Sequence, residues 1–207
     1  SLNRAIVSLA LPAVLENLLV SAVFIADSFL IGHLNDPAAL AAVGISGSYL
    51  FIANGLFMAL SIGSMALVAR AYGEGNEAQA KRMSGQAVTL SVVFAVVCMA
   101  ALFPLAEPFL RLLIADEEVI RQGALYTHII LSTSILSFPL QVMTGIMRAT
   151  GDTRTPMYIT LIMNVINIAL AAALIFGFGP IPALHIAGAG WGAALARAAG
   201  GLMALYV

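Results

Sequence analysis

Apolar stretches long enough to cross a lipid bilayer recur along almost the whole of this 207-residue chain. A bilayer core of ~30 Å needs about 20 apolar residues, because a helix rises ~1.5 Å per residue. On this basis the sequence predicts an all-α, polytopic membrane protein whose transmembrane helices form a single six-helix lobe. The predicted spans lie near residues 5–31, 38–70, 84–106, 121–148, 156–177 and 186–207.

The composition excludes a soluble protein. Hydrophobic residues make up 61% of the chain and charged residues only 9%, whereas an ordinary soluble domain has roughly 25% charged residues. The formal net charge of −1 leaves no basic face for nucleic acid. The lipid bilayer is therefore the expected partner, and nucleic acid is not.

Lysine and arginine are unevenly divided between alternate loops, and this asymmetry predicts the orientation. One side carries Arg4, Arg70, Lys81, Arg82, Arg148 and Arg154, and the other carries Arg111 and Arg121. The richer side is expected to be cytoplasmic, together with the N-terminus. Residues 107–122 then lie outside, where their mixture of acidic, basic and apolar residues predicts an amphipathic helix at the interface.

Three ionisable residues fall inside predicted spans, where charge is costly and indicates a functional site. Glu16 and Asp27 lie 11 residues apart on the first span, so that they fall within ~20° of each other, about 16 Å apart on one helix face. Such a face is expected to line a cavity or the interior of the bundle. The alternative is that both acids only hold the helices together by pairing with Arg197 or with amides.

Arg197 is predicted to lie close to the middle of the membrane, level with Glu16. Small residues surround it on the sixth span, which would let a neighbouring helix approach closely. Its long side chain could reach either acid, so the sequence leaves open whether it pairs with Glu16 or with Asp27.

Buried amides provide a second set of polar candidates. Asn164 and Asn167 are three residues apart and share a face of the fifth span. Asn17, Asn54 and Gln141 are the further cavity-lining candidates. These amides serve either as hydrogen bonds between helices or, if they converge with Asp27, as a cation or substrate site.

No motif indicates an enzyme, a resident metal or a cofactor. His33, His128 and His185 lack the spacing of metal ligands, and Cys98 has no second cysteine to pair with. There is no phosphate-binding loop and no nucleophile elbow. The chain is therefore expected not to be an enzyme.

Motifs in the loops and helix ends resemble the N-terminal half of the multidrug and toxin extrusion (MATE) family, in order and over essentially the whole chain. They are Leu11-Pro-Ala13, Asp27-Ser28, Ile31-Gly-His-Leu34, Ala38-Ala-Leu-Ala-Ala-Val-Gly44, Ala69-Arg-Ala-Tyr-Gly-Glu-Gly-Asn76, Met147-Arg-Ala-Thr-Gly-Asp-Thr-Arg-Thr-Pro-Met157, Ile175-Phe-Gly177 and Gly188-Ala-Gly-Trp-Gly-Ala-Ala194. The resemblance implies a twelve-helix antiporter of two lobes that exports organic cations and drugs in exchange for protons or sodium. This chain would be the N-terminal lobe, and a C-terminal lobe of the same full-length protein is the expected partner.

The same resemblance implies a cation or proton site at Asp27 and Asn167, and Arg197, as the arginine inside the last span, is the third predicted coupling residue. The sequence departs from some branches of the family at two positions. Ala171 stands where they carry a second aspartate, and Arg197 stands where they carry a threonine. A lone acid beside an arginine favours proton coupling, although a sodium ion near Asp27 stays open. The resemblance further implies the bacterial inner membrane, and the apolar end at Val207 suggests a longer chain.

Two other functions compete with drug export. A lipid-linked oligosaccharide flippase of the same superfamily would share the six-helix lobe, but it would need several basic residues in its cavity for pyrophosphate. A membrane-embedded enzyme would need a clustered nucleophile, metal or acid–base pair. A scaffolding protein would leave the two acids and the arginine at depth unexplained.

Overall fold

Helices account for nearly all of the chain in the computed structural model, which describes residues 2–179 and 182–206, and side chains from position 7 onward except at 8 and 9. They are α1 (Leu2–Gly32), α2 (Pro37–Gly73), α3 (Glu77–Leu113), α4 (Glu117–Ser132), α5 (Ser134–Ala149), α6 (Arg154–Phe176) and α7 (Ile186–Tyr206). The all-α prediction is confirmed. Val207, at the end of the last predicted span, and the Arg4 side chain lie outside the described residues.

The helices correspond to the six predicted spans, with differences at the last span, which is α7, and at the span over 121–148, which is broken. Within the described residues α1, α2, α3 and α6 are long and apolar enough to cross a membrane, and α4 with α5 provides a fifth span if the bent pair is taken as one. The last predicted span corresponds to α7, whose 21 residues reach the required length. It falls outside that set because Arg197 and the glycines lower its mean hydropathy.

The span predicted over 121–148 is broken into two helices that meet at a 55° bend. The break falls at Thr133, which ends α4 and precedes α5. The backbone N–H and the hydroxyl of Thr133 both donate to the Ile130 carbonyl, at 3.3 and 3.0 Å, and the Ser134 hydroxyl donates to it at 3.4 Å. These local bonds compete with the regular helical bond, which explains the bend.

The single interfacial helix predicted over residues 107–122 is not present. Instead α3 continues without interruption to Leu113. The non-helical residues 114–116 then connect it to α4, which begins at Glu117. Asp116 starts α4 by accepting hydrogen bonds from the backbone N–H groups of Glu118 and Val119. An N-terminal cap therefore divides the segment between the ends of two long helices.

Asp36 performs the same capping at the start of α2 and also joins α2 to α4. Its Oδ1 accepts from the N–H groups of Ala38 and Ala39 at 3.0 and 3.2 Å. Its Oδ2 accepts from the side-chain amide of Gln122 at 3.1 Å. The bond from Gln122 is the main reason that the pKa of Asp36 lies below its ordinary value. This stabilisation is therefore present above the ordinary carboxyl pKa and is lost as the pH falls through the lowered one.

Replacing Asp36 by alanine is expected to destabilise the protein more than replacing Asp116 by alanine. Each change removes a helix cap, at a cost of about 1 kcal/mol. Only Asp36→Ala also removes the bond from Gln122, which adds about 1 to 2 kcal/mol because a charged acceptor is lost. Thermal unfolding in detergent measures both variants. Equal losses would show that the contact between α2 and α4 contributes nothing.

The most extensive helix contact is between α6 and α7, and it depends on glycine. A Cβ at Gly188 would lie 2.5 Å from the backbone of Leu174, and one at Gly192 would lie 2.7 Å from the backbone of Ala171. The two backbones are therefore in direct contact, as small residues permit in membrane helices. Of this pair, α6 provides the main surface on which α1 packs.

By contrast, α1 lies at the edge of the lobe and packs mainly on α6. Much of its apolar surface is free, as Phe24 and Ile25 show with 61% and 67% of their surface exposed. Lipid or another lobe must cover this surface in a membrane. Polar contacts with other helices consequently help to fix the position of α1 in the lobe.

Candidate functional site

The two acids of α1 both face inward, each with a partner on another helix. Asn167 on α6 donates its Nδ2–H to Asp27 Oδ1 at 2.9 Å. Arg148 on α5 donates to both oxygens of Glu16, at 2.6 and 2.7 Å. The shared face predicted from the 11-residue spacing therefore faces α5 and α6 rather than lipid.

The partner of Glu16 differs from the one that the sequence suggests. Glu16 pairs with Arg148, which the loop count places on the cytoplasmic side, and not with Arg197. The Arg148 side chain turns inward from the end of α5 and is 30% exposed, while that of Glu16 is 12% exposed. A long arginine side chain can reach inward in this way because its guanidinium is carried on a flexible apolar stem.

The amides of α6 both contact α1. Asn164 donates its Nδ2–H to the Leu19 carbonyl at 2.6 Å, one turn from the Asn167 bond to Asp27 because residues three apart share a helix face. Both side chains are buried. The Asn167 Oδ1 is also buried and has no hydrogen-bond partner among the described residues. An unused acceptor therefore lies on the same side chain that holds Asp27.

Arg197 forms no ion pair with any carboxylate in the part of the chain that the structure describes. It nevertheless lies close enough to Asp27 for their charges to attract each other, and Tyr126 lies near both. The predicted direct pairing with Glu16 or Asp27 is therefore wrong, and what remains is attraction between Arg197 and Asp27 through space. Small residues around Arg197 bring α7 close enough to α6 for this.

A cavity of about 240 Å³ lies between α1, α2, α5, α6 and α7. Five of the sequence candidates line it, namely Glu16, Asn54, Gln141, Asn164 and Arg197. Asp27 and Asn167 are not in its lining. A smaller cavity of about 80 Å³ adjoins it and shares the Asn54 and Arg197 side chains. Since Gln141 Oε1 is buried without a partner among the described residues, the larger cavity has an acceptor available to a ligand.

Asn17 is the one cavity candidate that the structure moves away. Its side chain is exposed and donates to the Ala13 carbonyl of its own helix at 2.9 Å. It directly follows Glu16, and adjacent residues on a helix point about 100° apart, so both could not face the cavity.

Sequence reasoning missed Arg148 and three hydroxyl residues of the cavity, which are Ser137, Thr144 and Thr160. A signal for part of this set exists in the sequence. Gln141, Thr144 and Arg148 are spaced at three and four residues and so form one polar stripe on α5. The Arg148 guanidinium also donates to the Thr144 hydroxyl at 3.4 Å, which confirms that they share a face.

The described residues contain no group of three or more His, Cys, Asp or Glu side chains that could hold a metal ion. At the bond between Asp27 and Asn167 the side-chain oxygens are the carboxylate and the Asn167 Oδ1, and the side chain of Ala171 contains none. A proton needs only the carboxylate.

Comparison with known proteins gives matches along the whole chain. The family model described as MatE matches residues 12–173. A probable multidrug resistance protein NorM from Thermotoga maritima is 32% identical over 207 residues, which is all of this chain and 44% of that protein. A probable multidrug resistance protein YoeA from Bacillus subtilis is 31% identical over 92% of this chain and 41% of that protein. The chain thus spans less than half the length of these relatives.

A solved structure has the same fold. A transporter of the MOP superfamily from Pyrococcus furiosus superposes with a TM-score of 0.90 over 98% of this chain and 44% of that one, at 23% identity. The described helices therefore correspond to slightly less than half of that longer chain.

Proposed function

Because the chain belongs to the MATE family of membrane transporters, we propose that it is the N-terminal lobe of a cation-coupled antiporter that exports organic cations and drugs. The observation that carries the proposal is the position of Asp27, an acid on an apolar helix that is held by Asn167 of α6 and attracted by Arg197, which lines the cavity. The coupling ion is a proton or sodium, and the donor set around Asp27 favours the proton.

Coupling requires a group whose occupancy differs between inward-open and outward-open states, since a ligand shifts an equilibrium only by its differential affinity for the two states. Asp27 meets this requirement because its bond to Asn167 joins α1 to α6. Taking up a cation or a proton changes that bond and the attraction to Arg197. The position of α1 relative to α6 is thereby tied to the ion gradient.

The cavity provides the place for the substrate. Its lining combines apolar side chains such as Val20 and Met163 with amides and hydroxyls, and mixed linings of this kind accept varied amphipathic molecules. In the complete transporter a C-terminal lobe would close its open side.

We place the protein in the bacterial inner membrane, in keeping with its bacterial relatives. The loop charges indicate that its N-terminus lies in the cytoplasm.

The flippase alternative gains no support from the cavity. Pyrophosphate recognition calls for several free cations. Arg197 is the arginine in the cavity lining, and Arg148, which binds the lining residue Glu16, is neutralised by it. The enzyme alternative likewise lacks a nucleophile with an adjacent base in the cavity lining.

Export is tested with the full-length protein in proteoliposomes and a fluorescent organic cation such as ethidium. We expect the imposed ion gradient to drive ethidium transport several-fold above protein-free vesicles, with a pH gradient more effective than a sodium gradient. Collapsing the gradient with an ionophore is the control. Transport at a rate that depends on neither gradient would reject the antiport proposal. Transport driven only by a sodium gradient would assign the coupling ion as sodium.

A further inference from the structure

Glu16 has two roles in the structure, because it lines the cavity and at the same time binds Arg148 through both oxygens. The carboxylate is the acid of the cavity lining, and a cation already occupies it. Among the described ion pairs it is the one that joins helices distant in the chain, since the others connect neighbouring positions.

We propose that Glu16 is the site for the positive group of the substrate and that Arg148 masks it until the substrate arrives. The proposal rests on the proposed export of organic cations. A guanidinium and an organic ammonium present the same chemistry to a carboxylate, namely a positive charge with N–H donors. An incoming cation in the cavity therefore competes with Arg148 for the same oxygens.

Arg148 can move out of the ion pair more easily than Glu16 can. Glu16 lies in the middle of a helix and its side chain is 12% exposed, while the Arg148 side chain is 30% exposed and lies in the last turn of α5. The last carbonyls of a helix attract cations, so a released Arg148 keeps a favourable position. Exchange of one cation for another also avoids a stranded buried carboxylate, which is the main cost of breaking such a pair.

The exchange changes how α1 is held. The Glu16–Arg148 pair joins α1 to α5, whereas the bonds from Asn164 and Asn167 join α1 to α6. Pro12 lies one turn before Glu16 inside α1, where the missing N–H makes the helix easier to bend. Substrate binding at Glu16 thus releases α1 from α5 next to its weakest point and leaves it attached to α6.

Binding of ethidium to the full-length protein, measured by fluorescence titration in detergent, tests the masking. Arg148→Gln is expected to tighten ethidium binding about tenfold, because the carboxylate no longer has a competing cation. The matched control Arg154→Gln removes an exposed arginine from the same end of the lobe and is expected to leave binding unchanged. Adding Glu16→Gln to Arg148→Gln is expected to abolish the gain.

The outcomes separate the two proposals. If the wild type binds ethidium and Arg148→Gln binds it equally well or more weakly, the masking is wrong while export of organic cations stands. If neither protein binds ethidium, both proposals fall. Should Arg148→Gln fail to fold, Arg148→Lys carries the same test, because lysine keeps the charge but lacks the second guanidinium nitrogen that donates to the Thr144 hydroxyl and helps to hold Arg148 in place. An intermediate tightening is then expected, and unchanged binding would reject the masking.

Discussion

Asp27→Asn is expected to reduce gradient-driven efflux to near background while the protein is still made and inserted. Asparagine has almost the same size as aspartate but takes up no proton and carries no charge for a cation. It can still accept the bond from Asn167, so the contact between α1 and α6 is kept. The ion gradient, however, no longer distinguishes two states of this side chain, and coupling is lost.

The measurement is efflux of ethidium in cells or proteoliposomes, with binding of the same compound measured in detergent. Binding is expected to persist, because Asp27 does not line the cavity. Asn17→Ala is the control on the same helix, since that side chain is exposed and bonds only within α1. Wild-type efflux by Asp27→Asn under an imposed gradient would reduce Asp27 to a structural residue.

Gly188→Ala is expected to destabilise the lobe strongly, because it forces apart the two helices with the most extensive contact. The new Cβ would lie 2.5 Å from the carbonyl carbon and oxygen of Leu174, which is well inside contact distance. Backbone atoms cannot turn aside as a side chain can, so α7 must move away from α6. Overpacking typically costs about 1–3 kcal/mol, and a clash with backbone falls at the upper end or beyond it.

The control is Gly55→Ala on α2, where an added Cβ meets nothing within 4 Å. That change is expected to be neutral or slightly stabilising, because alanine favours a helix over glycine by about 1 kcal/mol. The two variants are compared by thermal unfolding in detergent, with size-exclusion chromatography as the readout of the folded fraction. Equal melting temperatures would show that the close contact of α6 with α7 contributes little.

Much of the fold follows from local signals in the sequence, and the differences arise where a signal depends on neighbours. Long apolar runs predict the helices well because lipid leaves the backbone no other partner. The break at Thr133 depends on hydroxyls bonding to Ile130, a choice between local bonds that composition does not reveal. Two prolines likewise do not mark the end of α3. The helix continues through Pro104 and Pro108, because proline inside a membrane helix is tolerated.

The site is harder to predict than the helices because it depends on which helices are adjacent. Helical periodicity correctly places Glu16 and Asp27 on one face, and Asn164 and Asn167 on another. It does not tell which face meets which, so it suggests Arg197 as the partner of an acid that Arg148 in fact holds. Loop charges add to the difficulty, because they assign an arginine near a helix end to the loop although its side chain turns inward and binds Glu16 on α1.

The long separation between the acids of α1 and their partners has a consequence for biosynthesis. Glu16 is made 132 residues before Arg148, and Asp27 is made 140 residues before Asn167. At roughly 5–20 residues per second, the ribosome needs on the order of 10 s to produce those partners. During this time the first helix carries two carboxylates whose partners in the folded lobe do not yet exist. Until α5 and α6 are made, hydration or protonation must compensate these carboxylates, because burying an unpaired charge is costly.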